Sequence, residues 1–247
     1  MEEHKNDASL DILGVKPIAN CLEHASKETI DGGKNFLSKI CMPAADEFGL
    51  LLQDKVKGWR ASNVQQTLLK AEKKLSSQGS YINKKAHPLI SWRIIESSSW
   101  AQHDELQEIW AGLLASTCTK DGEDVSNLIF INILSQLTEV QIRIINYAVE
   151  NANIRMHDLD LITAEELSID IEQLKSISSI NDVSRLDREL DHLSSMDLIG
   201  GGVSGGGFLI DELNNTTIIV ITPRALAIQL YVRCQGFIDN PKEYFKL

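Results

Sequence analysis

In the first half of the chain apolar residues recur every three or four positions, the period of a helix that buries one face. After Pro43, which suits a first helical turn, Phe48, Leu51, Leu52, Val56 and Trp59 make one stripe. Val64, Leu68, Ala71 and Leu75 continue it, as one long helix or two joined near Gly58, ending around Ser76 to Gly79. His87-Pro88 opens a shorter segment carrying Leu89, Ile90, Ile94 and Ile95, and Leu106, Ile109, Trp110, Leu113 and Leu114 mark the buried face of another helix. Such faces close into a bundle. Ahead of them Ile12, Val15, Ile18, Ala19 and Leu22 suggest a helix that Gly32-Gly33 would break.

The second half is punctuated differently. Thr138-Glu139-Val140-Gln141 has the capping-box pattern, in which a hydroxyl and an amide satisfy backbone groups at a helix start; Ile142, Ile145, Val149 and Ala152 supply its core face. Thr163-Ala164-Glu165-Glu166 repeats the pattern before Leu167, and Val183, Leu186, Leu190 and Leu193 stripe a helix that starts near Asn181 to Ser184. Next come the glycine-rich residues 200–207, which cannot sustain a helix, then Phe208 to Ile210 and the β-branched run Thr216 to Ile221 around Asn214-Asn215, together a two-stranded hairpin. Thr222 would cap a last helix with Pro223 at its first position and Gly236 just beyond its end. The order predicts a mainly α chain: an N-terminal helical segment over residues 1–42, a helical bundle over 43–133, and a winged helix-turn-helix-like domain with a small β-hairpin over 134–247.

Charge sharpens this division. Of 247 residues, 24 are basic and 35 acidic, a formal net charge of −11 that disfavours a nucleic-acid or anionic-membrane partner for the molecule as a whole. Residues 55–93 depart from it, with nine basic side chains (Lys55, Lys57, Arg60, Lys70, Lys73, Lys74, Lys84, Lys85 and Arg93) against Glu72 alone. This is a solvated helix face or a contact surface for an anionic partner, and Lys55, Lys57, Lys70, Lys73, Lys74, Lys84 and Lys85 are the candidate contacts. On the expected recognition helix Arg185 and Arg188 are offset by Asp187, Glu189 and Asp191, so counterion release would add little to DNA affinity and a protein contact is favoured.

Reactive constellations are missing from the sequence. Cys21, Cys41, Cys118 and Cys234 lie far apart with no CxxC spacing, as expected of reduced thiols. No H-E-x-x-H, G-x-S-x-G or P-loop occurs. Gly200, Gly202 and Gly205 satisfy G-x-G-x-x-G, but a dinucleotide fingerprint needs a strand before and a helix after, and the expected order here is the reverse, so these glycines read as a wing tip. His103-Asp104-Glu105 and His157-Asp158-x-Asp160 read as helix-start or turn residues rather than metal ligands, and no cofactor or metal is expected. Trp92, Trp100 and Trp110 read as core or interface anchors. The start, Met1-Glu2-Glu3-His4-Lys5, is polar and acidic, and Leu128-Ile129-Phe130-Ile131 is interrupted by Asn132; neither a secretory signal nor a membrane span is expected, and a cytoplasmic location is.

Two stretches resemble a known family. Residues 49–60 (Gly49-Leu50-Leu51-Leu52-Gln53-Asp54-Lys55-Val56-Lys57-Gly58-Trp59-Arg60), with Asn63-Val64 and Ala71-Glu72-Lys73-Lys74-Leu75, and then residues 104–115 with Trp110-Ala111-Gly112-Leu113-Leu114, are similar to the abortive-infection alpha proteins of bacteria. Ile221-Thr222-Pro223-Arg224-Ala225-Leu226-Ala227 and Tyr231-Val232-Arg233-Cys234 resemble that family's closing segment. The chain has Gly112 where the motif carries Asn, and Arg224-Ala225 where a glycine is expected. The resemblance implies a helical cytosolic protein of anti-phage defence and no catalytic residue. Asp54, Trp59, Arg60, Trp110, Leu113 and Leu114 are then structural motif positions, Arg60 pairing with Asp54 or a neighbouring acid. The reading that follows is a non-enzymatic defence component that works through a protein partner or as a homo-oligomer. A winged-helix nucleic-acid-binding regulator is the alternative, and an effector enzyme assembled from distant residues is a third.

Overall fold

A computed structural model describes residues 27–44, 55–78, 83–157, 161–202 and 218–247. Its first helix, α1 (Lys27–Ile40), runs through Gly32-Gly33 rather than breaking there. Two glycines weaken a helix by about 1 kcal/mol each, but Phe36, Leu37 and Ile40 are buried against the bundle and tertiary packing prevails. Residues 1–26, with the expected helix around Ile12 to Leu22, and residues 45–54 lie outside the described segments. Helix α2 (Lys55–Ser77) carries the expected stripe Val64, Leu68, Ala71 and Leu75 into the core. Helix α3 (Pro88–Ser98) starts as the sequence indicates: His87 Nδ1 accepts from the Leu89 N–H at 3.2 Å and Pro88 takes the first turn.

Helix α4 (Asp104–Ser116) is the centre of the bundle. Ala111, Leu113, Leu114 and Ala115 are fully buried, and α2 packs along it with α3 to one side. A short helix α5 (Leu128–Leu134) follows, then α6 (Glu139–Asn151), where the Thr138 hydroxyl accepts from the Gln141 N–H and the Gln141 side chain accepts from the Thr138 N–H.

The carboxyl-terminal half contains two small antiparallel sheets. Strands β1 (Ile154–Met156) and β2 (Ile162–Ala164) form a hairpin with Ile154 opposite Ala164. Thr163 and Ala164 therefore sit in a strand instead of capping a helix. The second capping box lies downstream, where Asp170 and Gln173 open helix α7 (Ile171–Ser178). Strand β3 (Leu167–Asp170) precedes α7, and helix α8 (Val183–Ser195) follows it, starting within the expected residues 181–184 and capped by the Asp182 carboxylate. Strands β4 (Ile199–Gly202) and β5 (Ile218–Pro223) complete a sheet of order β3-β5-β4, with Leu167 opposite Ile221 and Ile199 opposite Pro223.

Three expectations change here. Gly200, Gly201 and Gly202 are strand residues rather than a wing tip. Gly201 is required there: its φ is +115° and a Cβ would sit 2.1 Å from the Val220 oxygen. The partner of β5 is this glycine strand on one side and the unexpected β3 on the other, whereas Phe208 to Ile210 and Asn214-Asn215 lie outside the described residues. Thr222 and Pro223 end β5, so the next helix, α9 (Ala225–Cys234), starts after Arg224, whose side chain makes no capping hydrogen bond; α10 (Pro241–Phe245) follows. The molecule is mainly α, its buried residues form one cluster through both halves, and α9 returns to pack on α4 and α6. No helix among the described residues is long and apolar enough to cross a membrane.

Candidate functional site

The basic stretch is partly neutralised by its own fold. Parallel packing of α2 on α4 brings Lys70 onto Asp104 and, at 3.4 Å, Glu108, while Lys74 pairs with Glu108 at 3.1 Å. Lys73 and Lys85 are exposed, Lys84 is half-buried, and the Lys85 backbone bridges to Thr119. Lys55 and Lys57 lie in the first turn of α2, with side chains outside the described set. Positive charge open to a partner is therefore concentrated on fewer side chains than the sequence count suggested.

At the opposite end of α2, Arg60 donates from Nε to Ser99 Oγ at 3.0 Å and lays its guanidinium 4.5 Å from the centre of the Trp100 ring. Its partners are a hydroxyl and an aromatic face rather than an acid; Asp54 lies outside the described residues. Asn63 Nδ2 donates to the Ser99 oxygen at 2.9 Å, and Trp59 meets Trp100 edge-on at 5.9 Å. Trp100 itself is 58% exposed, beside a groove of about 440 Å³ whose floor includes Leu106, Trp110 and Leu134. Trp110, Leu113 and Leu114 are core residues.

On α8, Arg185 reaches Glu189 at 3.5 Å, and Arg188 stands exposed beside exposed Asp191. Glu189 is only 7% exposed and also accepts from the Thr138 hydroxyl at 3.0 Å. Because Gln141 Oε1 is held by the Thr138 N–H, its Nε2 faces His192, whose Nδ1 accepts at 2.8 Å. This network ties α8 to the start of α6. Arg143 extends the connection, pairing with Glu139 at 3.2 Å and Glu105 at 3.7 Å and donating to the Ser178 oxygen at 2.9 Å. Asp104, Glu105 and His103 are thus spread over Lys70, Arg143 and Glu139. No group of three metal-ligating side chains occurs among the described residues, and Asp158 and Asp160 are not among them.

Two of the buried thiols have shifted protonation equilibria. Burial pushes Cys118 and Cys234 up from 9.0 to about 12, so both are protonated at neutral pH and are poor nucleophiles. Burial likewise raises Tyr231, which donates to Glu150 at 3.0 Å, and lowers Arg233. Gly112 was not recognisable as a contact residue from the sequence. A Cβ there would fall 1.5 Å from the Cys234 oxygen, because α9 crosses α4 at that point. The available signal was a glycine inside an otherwise strong helix pattern, which costs about 1 kcal/mol and marks a close approach.

The described residues form a helical bundle joined to a half with two small antiparallel sheets, with ion pairs linking α2 to α4 and α4 to α6. The family model for abortive infection alpha matches residues 60–219, and the chain belongs to that family. No curated protein and no solved structure matches it.

Proposed function

We propose that this chain is a non-enzymatic, cytoplasmic component of abortive-infection defence against bacteriophage that acts by contacting other macromolecules. The observation that carries the reading is the family match over residues 60–219. It is supported by protonated thiols at Cys118 and Cys234 and by acids engaged in ion pairs along α4 and α6. The order α6, β1, β2, β3, α7, α8, β4, β5, with β5 central in the three-stranded sheet and the β1–β2 hairpin inserted after α6, supports treating the carboxyl-terminal half as a winged helix-turn-helix in which α8 is the presented helix. The experiment is expression in bacteria challenged with diverse phages. Protection is expected, and Lys73→Glu with Lys85→Glu, which leaves the Lys70 and Lys74 pairs intact, should abolish it in a protein that still melts normally. Absence of protection against every phage overturns the proposal.

The same topology favours one second reading, a nucleic-acid-binding regulator of a defence locus. Arg188 would then contact phosphate, but Arg185 is engaged by Glu189 and Asp191 lies on the outer face. Binding that weakens steeply as salt rises would select this reading over the protein-contact one.

A further inference from the structure

Helix α3 leaves a stripe uncovered: Leu89 (43% exposed), Arg93, Glu96 and Trp100 (58% exposed). The intervals of four, three and four residues are those of a seam between two packed helices. Trp100 stays on the stripe because Ser99 remains helical (φ −61°, ψ −21°) and the Trp100 N–H donates to the Ser97 oxygen at 3.3 Å. The spacing of the stripe is the same in both directions. Reversing the helix places Leu89 over Trp100 and Arg93 over Glu96, and the half-buried Trp92 and Ser97 obey the same symmetry. Neither the Arg93 nor the Glu96 side chain has an ion-pair partner among the described residues.

We propose that a second copy of this chain docks antiparallel along α3, about a two-fold axis midway between Arg93 and Glu96. Each Arg93 then meets Glu96 of the other copy, and Leu89 of one copy covers the Trp100 ring and the adjoining groove of about 440 Å³ in the other. The self-complementary order of charge selects a copy of the chain as occupant, because an isologous interface must match itself. The stripe has no net charge, so two molecules of −11 can approach there without adding local repulsion. Trp100 is already held by Arg60 and Trp59 and loses little freedom on association. From Leu89 to Trp100 the seam is about 16 Å long, short for an obligate interface, so the dimer is a reversible one.

Sedimentation equilibrium of the full chain from about 1 to about 100 µM tests this directly. The wild type should show a monomer–dimer equilibrium. Arg93→Glu or Glu96→Arg alone sets like charges opposite each other twice and should weaken dimerisation about tenfold or more. Combining them recreates the pair with its signs exchanged and should restore the constant to within about threefold. Both positions are exposed, so melting temperatures should hold across the series and report that each variant is folded. A monomeric wild type overturns the proposal, whether or not another protein occupies the stripe. So does a dimer indifferent to the single reversals, or a double reversal that stays weak.

Discussion

Gly112→Ala tests the contact that joins the end of the chain to the bundle. In an open helix the exchange stabilises by about 1 kcal/mol, because alanine loses less backbone entropy on folding. Here the new Cβ would lie 1.5 Å from the Cys234 oxygen and 2.3 Å from its carbonyl carbon, against an ordinary contact of 3.4–4 Å. The α9 backbone must retreat by roughly 2 Å, with Ile228, Leu230 and Val232 buried on the same helix; overpacking that displaces backbone costs about 3 kcal/mol. The balance is a loss of about 2 kcal/mol, or about 4–8 °C in Tm for a chain of this size. Urea denaturation followed by tryptophan fluorescence measures it. Gly32→Ala is the internal comparison: its Cβ would meet only Leu69 Cδ2 at 4.0 Å, so that variant should gain about 0.5–1 kcal/mol. If both substitutions shift stability in the same direction, the close-approach reasoning fails.

Glu189→Ala should cost about 1 kcal/mol, since it removes the buried carboxylate that accepts from the Thr138 hydroxyl and Arg185 at the α6–α8 junction while water can still reach both donors; no measurable loss in urea denaturation would mean the network contributes little. Alkylation mapped by mass spectrometry should leave Cys118 and Cys234 unmodified at pH 8 until denaturant is added, and rapid native labelling of either would contradict their burial. Both thiols have folded pKa values raised from 9.0 to about 12, so their stabilising effect is complete below pH 9 and declines between pH 9 and 12. The slope in that window approaches about 1.4 kcal/mol per thiol per pH unit. Replacing Cys118 with Ala should flatten the alkaline fall in stability measured by denaturation. Arg60→Lys removes the planar stack on Trp100 and the Ser99 hydrogen bond, and should cost about 1–2 kcal/mol while shifting the fluorescence of the exposed Trp100; an unchanged spectrum would place the guanidinium elsewhere.

Local signals in the chain determined much of this architecture. The three-and-four spacing of Val64, Leu68, Ala71 and Leu75 was enough to orient α2, and the capping box at Thr138 and the proline after His87 placed helix starts, because such signals act within a few residues of their own backbone. The family motif around Trp110 was equally legible, and its core role follows from burial. Tertiary structure decided what depends on neighbours distant along the chain. Residues 167–170 became a strand by pairing with β5, and Gly200 to Gly202 became its other neighbour despite a composition that argues for a loop. Helix α1 persisted through Gly32-Gly33 because Phe36 and Leu37 are buried. Lys70 and Lys74 were turned inward by α4, and Gly112 acquired its importance only when α9 crossed over it. Periodicity and capping are short-range and written in consecutive residues, whereas strand pairing, charge neutralisation and close backbone approach require the chain to have already folded back on itself.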